Sequence, residues 1–273
     1  MATITPSYVA KLSRAEKHLT ELEAEIDRYA GSEPYTVEEG VEGKSERKVH
    51  RLAFTADPAN TDIPVVAADV VHNLRSCLDH LMNLLLAPKD RGNALFPIFF
   101  EGVWEPPVQG ESNKRATQRA RWGSDVKTLP DDAVTVLKRL QPPAGGGDYP
   151  EANLLRFIKR LASRDRREKL PVLATGLDKM VVRWKLPDGT TQAGFGVLGS
   201  PSDFFKSNAP IHVPDDAADV EIEGTPVIAI SDGKDKRGRP RDLEIPRHLQ
   251  LAVRLIEENI IPSLSPYVHA GSP

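Results

Sequence analysis

Hydrophobic residues in this chain recur with a helical period near both ends and with a period of two between them. Behind the start signal Thr5-Pro6, the residues Tyr8, Leu12, Ala15, Leu19, Leu22, Ile26 and Tyr29 alternate at spacings of four and three as far as Gly31, which predicts one long helix with a coiled-coil-like seam. Tyr35 to Glu38 and Lys48 to Phe54 read as two short strands about a Gly- and Glu-rich turn, and Asp57-Pro58 with Asn60-Thr61-Asp62 closes that excursion. A second long helix is expected from about Asp62 to Ala87. It is expected to lie antiparallel to the first, burying Leu74, Leu78, Leu81 and Leu85 against the Leu12, Leu19 and Leu22 seam.

After Phe96-Pro97-Ile98-Phe99-Phe100 the pattern fades, and the stretch up to Thr128 is expected to be a mobile loop. Pro130-Asp131-Asp132 opens a short helix whose acidic first turn suits the helix dipole, and Pro142-Pro143 stops it. Gly145 to Gly147 reads as a linker. Asp148 and Pro150 start another helix with Leu154, Phe157, Ile158 and Leu161 on one face. From Met180 the period becomes two: Met180, Val182, Trp184 and Leu186 alternate, Pro187-Asp188-Gly189 turns, and Ala193, Phe195 and Val197 return as a hairpin. Val220 to Ile222 and Val227 to Ile230 read as two further short strands, and a final helix runs from about Pro246 to Ile261, where Pro262 ends it. The fold class is therefore α+β. A helical bundle over residues 1–175 carries a short β excursion at 33–56, and a small β-rich lobe over 176–273 ends in a helix placed to pack back on the bundle.

The second long helix sorts its residues by chemistry. At about 100° per residue, Asp69, His72, Asn73, Ser76, Asp79, His80 and Asn83 fall within an arc of roughly 120°, opposite Val70, Val71, Leu74, Cys77, Leu78 and Leu81. Arg75 sits at the edge. A face that only met water would carry Lys and Glu, whereas Asp, Asn, Ser and His each lower helix propensity. The strip is either a catalytic or binding surface, or a seam of hydrogen bonds that fixes the register of packed helices.

Composition narrows the class. A chain of 273 residues, 40% hydrophobic and 27% charged, can bury a sizeable core, and its net charge of −3 announces no nucleic-acid partner by itself. The single cysteine, Cys77, cannot staple the fold and suits a reducing cytoplasm. The N-terminus lacks a charged start followed by an apolar core, and no apolar run approaches the ~20 residues of a membrane span. No membrane partner is expected.

Three local basic runs remain. Ser112 to Trp122 holds Lys114, Arg115, Arg119 and Arg121 with no acid, beside Trp122 as a stacking surface, a combination that suits single-stranded nucleic acid. Arg156 to Lys169 holds seven basic residues against Asp165 and Glu168, and Lys234 to Arg241 is a third basic run flanked by acids. No cofactor is implied: Gly145-Gly146-Gly147 is followed by Asp148 rather than by Lys and Ser/Thr. Nor is a metal, since His72 and Asp79 lie about 10.5 Å apart along the helix, too far to share one ion.

The phrase His72-Asn73-Leu74-Arg75-Ser76 with Leu78-Asp79-His80-Leu81 resembles a group of bacterial proteins within the HEPN superfamily. That resemblance spans most of the chain, including the Phe96-Pro97-Ile98 step and the Leu140-Gln141-Pro142 helix end. It implies an α-helical, often dimeric protein with metal-independent endoribonuclease activity, whose motif is an Arg followed after four to six residues by a His. On that resemblance Arg75 would neutralise the scissile phosphate and His80 would act as general acid/base, with Asp69, His72, Asn73, Ser76 and Asp79 in support, and with RNA held along Lys114, Arg115, Arg119, Arg121 and Trp122. Arg75 and His80 point about 140° apart on one helix, so a homodimer would have to bring two pairs together. Members of the group commonly carry Asp-Lys-His-Arg where this chain reads Asp165-Arg166-Arg167-Glu168. The alternative is a non-catalytic binding or assembly module in which the same strip is structural.

Overall fold

Both long seams wind as helices. In the computed structural model, which describes residues 5–42, 47–92, 94–99, 103–107, 111–142, 150–195, 210–211, 213–234 and 240–269, the first helix is α1 (Ser7–Gly31) and the second is α2 (Ile63–Leu85). The stripes read from the sequence are buried, Leu12, Leu19 and Leu22 on α1 and Leu74, Leu78, Leu81 and Leu85 on α2. Between the two helices lie the strands β1 (Tyr35–Glu42) and β2 (Arg47–Phe54), which pair antiparallel with Tyr35 opposite Phe54.

The stretch expected to be a loop before Thr128 contains a helix, α3 (Asn113–Val126). The side chain of Ser112 caps it by accepting the Arg115 backbone N–H. Only Trp122 and Val126 turn inward, so the helix carries too few apolar positions to register as a period. Next come α4 (Asp131–Leu140), with Asp131 and Asp132 in its first turn and Lys138 and Arg139 in its last, and α5 (Pro150–Asp165). Both termini of α4 complement the dipole.

The β-rich part is longer-stranded than its pattern suggests. The strands are β3 (Val172–Lys185), β4 (Thr191–Phe195), β5 (Pro210–Ile211), β6 (Ala218–Lys234) and β7 (Pro240–Glu244). The hairpin centred on Pro187-Asp188-Gly189 is present as β3–β4, with Lys185 opposite Thr191 and Gly189 at φ 83°. The two short strands expected at 220–222 and 227–230 are one strand, β6, and β3 begins eight residues before Met180. Register shifts between Ala174 and Gly176 and between Asp178 and Val181 break the alternation, so a period of two is lost where the strand continues.

The last helix also departs from its reading. Pro262 does not end it: α6 (Ile245–Arg254) widens into a π-helical turn over Leu255–Ile260, and α7 (Ile261–Leu264) follows with Pro262 in its first turn. The Ile261 N–H reaches back five residues to the Ile256 carbonyl, which gives the proline ring the room a tight α-turn denies it.

Two units group these elements differently from a cut at residue 175. One holds Met1–Thr20, Val66–Leu170 and Arg247–Pro273; the other holds Glu21–Val65 with Pro171–Pro246. In the second unit the sheets run β1-β2-β5 and β4-β3-β6-β7 and share a core. Leu52 of β2 packs with Leu177, Met180 and Val182 of β3 and Ile222 of β6, and the Tyr35 hydroxyl donates to the Gly224 carbonyl. The excursion at 33–56 is thus part of this β unit, because its apolar face finds partners there. The linker at 145–147, the Pro143 stop, the Asp148 start, Phe100, Val197 and most of the 234–241 basic run lie outside the described residues.

His50 on β2 is almost fully buried, and neither ring nitrogen has a hydrogen-bond partner among the described residues. Burial pushes its pKa down, while Glu39 and Lys48, paired with each other at 2.9 Å, act on it in opposite directions. A histidine held below its unfolded value of about 6.5 favours the neutral ring. Its stabilising contribution is complete above that pH and is lost as pH falls through about 6.5 towards the lower folded value. Denaturant midpoints measured from pH 7.5 to 5 should therefore fall more steeply for the wild type than for His50→Leu, and parallel curves would refute this.

Candidate anion-binding site

Two residues of the polar strip of α2, Asp79 and Asn83, together with Arg75 at its edge, are turned to a structural task. Arg75 holds Asp79 with two contacts, Nη2 to Oδ1 at 2.8 Å and Nε to Oδ2 at 3.1 Å, and Nη2 also donates to the Phe96 carbonyl at 3.0 Å. Asp79 Oδ1 accepts the Phe96 N–H at 2.8 Å. One turn further, the Asn83 amide donates to the Ala94 carbonyl at 3.1 Å while its oxygen accepts the Gly92 N–H at 3.0 Å. Three side chains four residues apart thus meet residues 92, 94 and 96. Arg75 and Asp79 share Phe96, and the step from Asp79 to Asn83, about 6 Å of helical rise, matches the step from Phe96 to Ala94, about 6.6 Å of extended chain.

The Arg75 and Asp79 side chains are only 12% and 16% exposed, so both ions are held mainly by each other and by backbone. Burial raises the Asp79 pKa against the pull of Arg75 and the Phe96 N–H, and burial likewise works against the charge on Arg75 while Asp79 supports it. The other strip residues are scattered. Asn73 is buried and donates to the Asp69 carbonyl at 2.9 Å, Asp69 and His72 are exposed, and Ser76 and His80 are half-buried. Cys77 lies in the core, where burial pushes its thiol up to about 12 and leaves it unreactive at neutral pH.

The segment pinned by the strip forms one wall of a cleft of about 220 Å³. Arg75 enters it from α2, Arg121 and Asp125 from α3, and Lys159, Ser163 and Arg166 from α5 and the turn beyond it. Lys159 Nζ donates to the Ile98 carbonyl and sits 5.3 Å from the centre of the Phe99 ring. Burial lowers the Lys159 pKa, and the neighbouring Arg75 and Arg121 lower it further. Arg121 reaches Asp125 at only 3.9 Å and is 61% exposed. Arg166 is exposed and has no ion pair or hydrogen bond among the described residues. His80 does not line this cleft.

The expected RNA-holding stretch divides. Arg121 faces the cleft, whereas Lys114 is simply exposed. Arg115 lies 3.4 Å from both Glu105 and Glu111, and Arg119 pairs with Glu111 and donates to the Val103 carbonyl at 3.1 Å. Trp122 cannot stack on a base: it is 4% exposed, edge-on to Phe99 at 5.8 Å and tilted against Trp104 at 5.5 Å. The acids that neutralise this helix, Glu105 and Glu111, stand before the acid-free stretch from Ser112 to Trp122.

Protein-family models, curated proteins and solved structures all return no match to this chain. Its chemistry must be read from the site. Lys159 and Arg166, two turns apart in the basic run at 156–169, were visible in the sequence but carried no sign of converging with Arg75 and Arg121. No histidine lines the cleft, and among the described residues no three His, Cys, Asp or Glu side chains group as metal ligands. No helix among the described residues is long and apolar enough to cross a membrane. The arrangement gathers the cations Arg75, Arg121, Lys159 and Arg166 at one cleft, with the carboxylate of Asp125 beside them.

Proposed function

We propose that this protein binds RNA through the cleft, with backbone phosphate held by Arg75, Arg121, Lys159 and Arg166, and that binding within one chain is not catalytic. The observation that carries the reading is the arrival of four cations from three helical segments at one cavity. Guanidinium groups match phosphate oxygens in pairs and keep their charge when partly buried. The strip of α2 then acts as the scaffold that fixes the cavity wall, which is the module reading of its polar face. An α1–α2 antiparallel pairing would place the scaffold in the bundle core.

Fluorescence anisotropy with a labelled single-stranded RNA tests this. Affinity should fall as salt rises from about 50 to 200 mM, with a log–log slope of about 0.7 per phosphate neutralised. Arg121→Glu with Arg166→Glu should weaken binding at least tenfold and flatten that slope, with an unchanged melting temperature. Affinity indifferent to both changes overturns the reading.

The second reading is the HEPN-like endoribonuclease, in which two copies form a homodimer in the cytoplasm and bring Arg75 of one against His80 of the other. It is favoured by His80 itself, half-buried five residues beyond Arg75 with no hydrogen bond among the described residues to occupy its ring. RNA cleavage in EDTA that His80→Ala abolishes without lowering the melting temperature would establish it. Intact RNA after prolonged incubation with a protein that binds it would leave the module reading alone.

A further inference from the structure

We propose that His50 is an acid-operated latch of the β unit: protonation of its ring parts the β1-β2-β5 sheet from the sheet it packs on, frees β5 and bares the apolar face between them. Strand alternation puts His50 on the same face of β2 as Leu52 and Phe54, which both lie in the core shared by the two sheets. The residue is 1% exposed, and neither ring nitrogen has a hydrogen-bond partner among the described residues. A neutral imidazole so placed leaves one donor and one acceptor unmet, whereas the protonated ring leaves two donors and a buried charge, which costs far more.

The charged groups on this face are already matched. Glu39 stands opposite His50 in the β1–β2 register and Lys48 precedes it by two residues, but they pair with each other at 2.9 Å and act on the ring in opposite directions. Across β5 the facing residue is Ile211. From the other sheet, β3 and β6 bring Met180, Val182, Trp184, Val220 and Ile222 to the core, while Arg183, Lys185, Glu221 and Glu223 alternate to the opposite face, where Arg183 pairs with Glu223 and Lys185 with Asp219. Tyr35, also in this core, spends its hydroxyl on the Gly224 carbonyl. The Trp184 Nε1–H is buried without an acceptor, so a protonated ring adds donors where acceptors are already short. The weak point is β5, which is two residues long and meets β2 only at His50 with Ile211 and Arg51 with Pro210. Burial holds the ring's pKa down in the closed form, so the open form binds the proton more tightly and grows as pH falls through about 6.5.

Hydrogen exchange corrected for its intrinsic pH dependence, with ANS fluorescence on the same samples of the full chain, tests this at pH 7.5 and 5. In the wild type, protection of β1 and β2 should fall about tenfold or more and dye fluorescence should rise, while α2 keeps its protection. His50→Leu, which takes up no proton, should stay closed at both pH values, and His50→Gln serves as a second non-titrating variant. The NMR titration of the His50 ring in the wild type should share its midpoint with the loss of protection. Equal responses from wild type and the non-titrating variants overturn the latch, as do unchanged protection at pH 5, loss in α2 in step with β2, or a ring titration whose midpoint differs from that of opening.

Discussion

Asp79→Ala should lower the stability of the helical unit by about 3–5 kcal/mol, the range for removing one partner of a buried ion pair. The substitution leaves the Arg75 guanidinium, 12% exposed, without its carboxylate and the Phe96 N–H without its acceptor. For a unit of this size that corresponds to a fall in melting temperature of roughly 10 °C. Asp79→Asn keeps an acceptor for Phe96 while removing the charge, so its loss should be intermediate. A purely catalytic Asp79 would behave in the opposite way, with activity gone and the melting temperature held. Thermal unfolding of the two variants beside wild type separates these outcomes, and a shift under about 2 °C in both would show that the ladder is dispensable.

Trp122→Ala should cost about 3–5 kcal/mol, the range for emptying a buried aromatic site. The indole packs edge-on against Phe99 and tilted against Trp104. Phe99 is tied in turn through its N–H to Gln141 Oε1 at 2.8 Å, and Gln141 is itself 5% exposed. Trp122→Phe retains most of the packing and should lose far less, with RNA affinity equal to wild type. If Trp122 instead stacked on a base, the phenylalanine variant would keep its stability and lose affinity, so unfolding and anisotropy measured on the same samples decide between packing and stacking.

The sequence showed what periodicity can show. The α1 and α2 seams and the Pro187-Asp188-Gly189 turn were legible because each repeats a local rule over many residues. Helix α3 was not: its inward face is two residues, and its one start signal, Ser112, has no apolar repeat behind it. Strand β6 was split by Gly224-Thr225-Pro226, a sequence that ordinarily breaks a strand, yet Pro226 stands opposite Leu177 in the ladder. The polar strip was visible as an anomaly of residue type, but its partners are main-chain groups of residues 92–96, and a backbone acceptor has no signature in sequence. The cleft was illegible for a related reason, since it joins Arg75, Arg121 and Arg166, residues more than 40 positions apart that look like solvated surface one at a time.

Leu95-Phe96-Pro97-Ile98-Phe99 is a short, uncharged, aromatic-rich window in which Pro97, lacking a backbone N–H, already tells against pairing with another strand. Most proteins protect such a window inside a sheet or behind an edge of lysines. Here helix side chains take the place of a neighbouring strand, since the Gly92 and Phe96 N–H groups and the Ala94 and Phe96 carbonyls are all engaged by Arg75, Asp79 and Asn83. The ladder that shapes the cleft therefore also occupies the main-chain groups of residues 92, 94 and 96 through which a further strand would add.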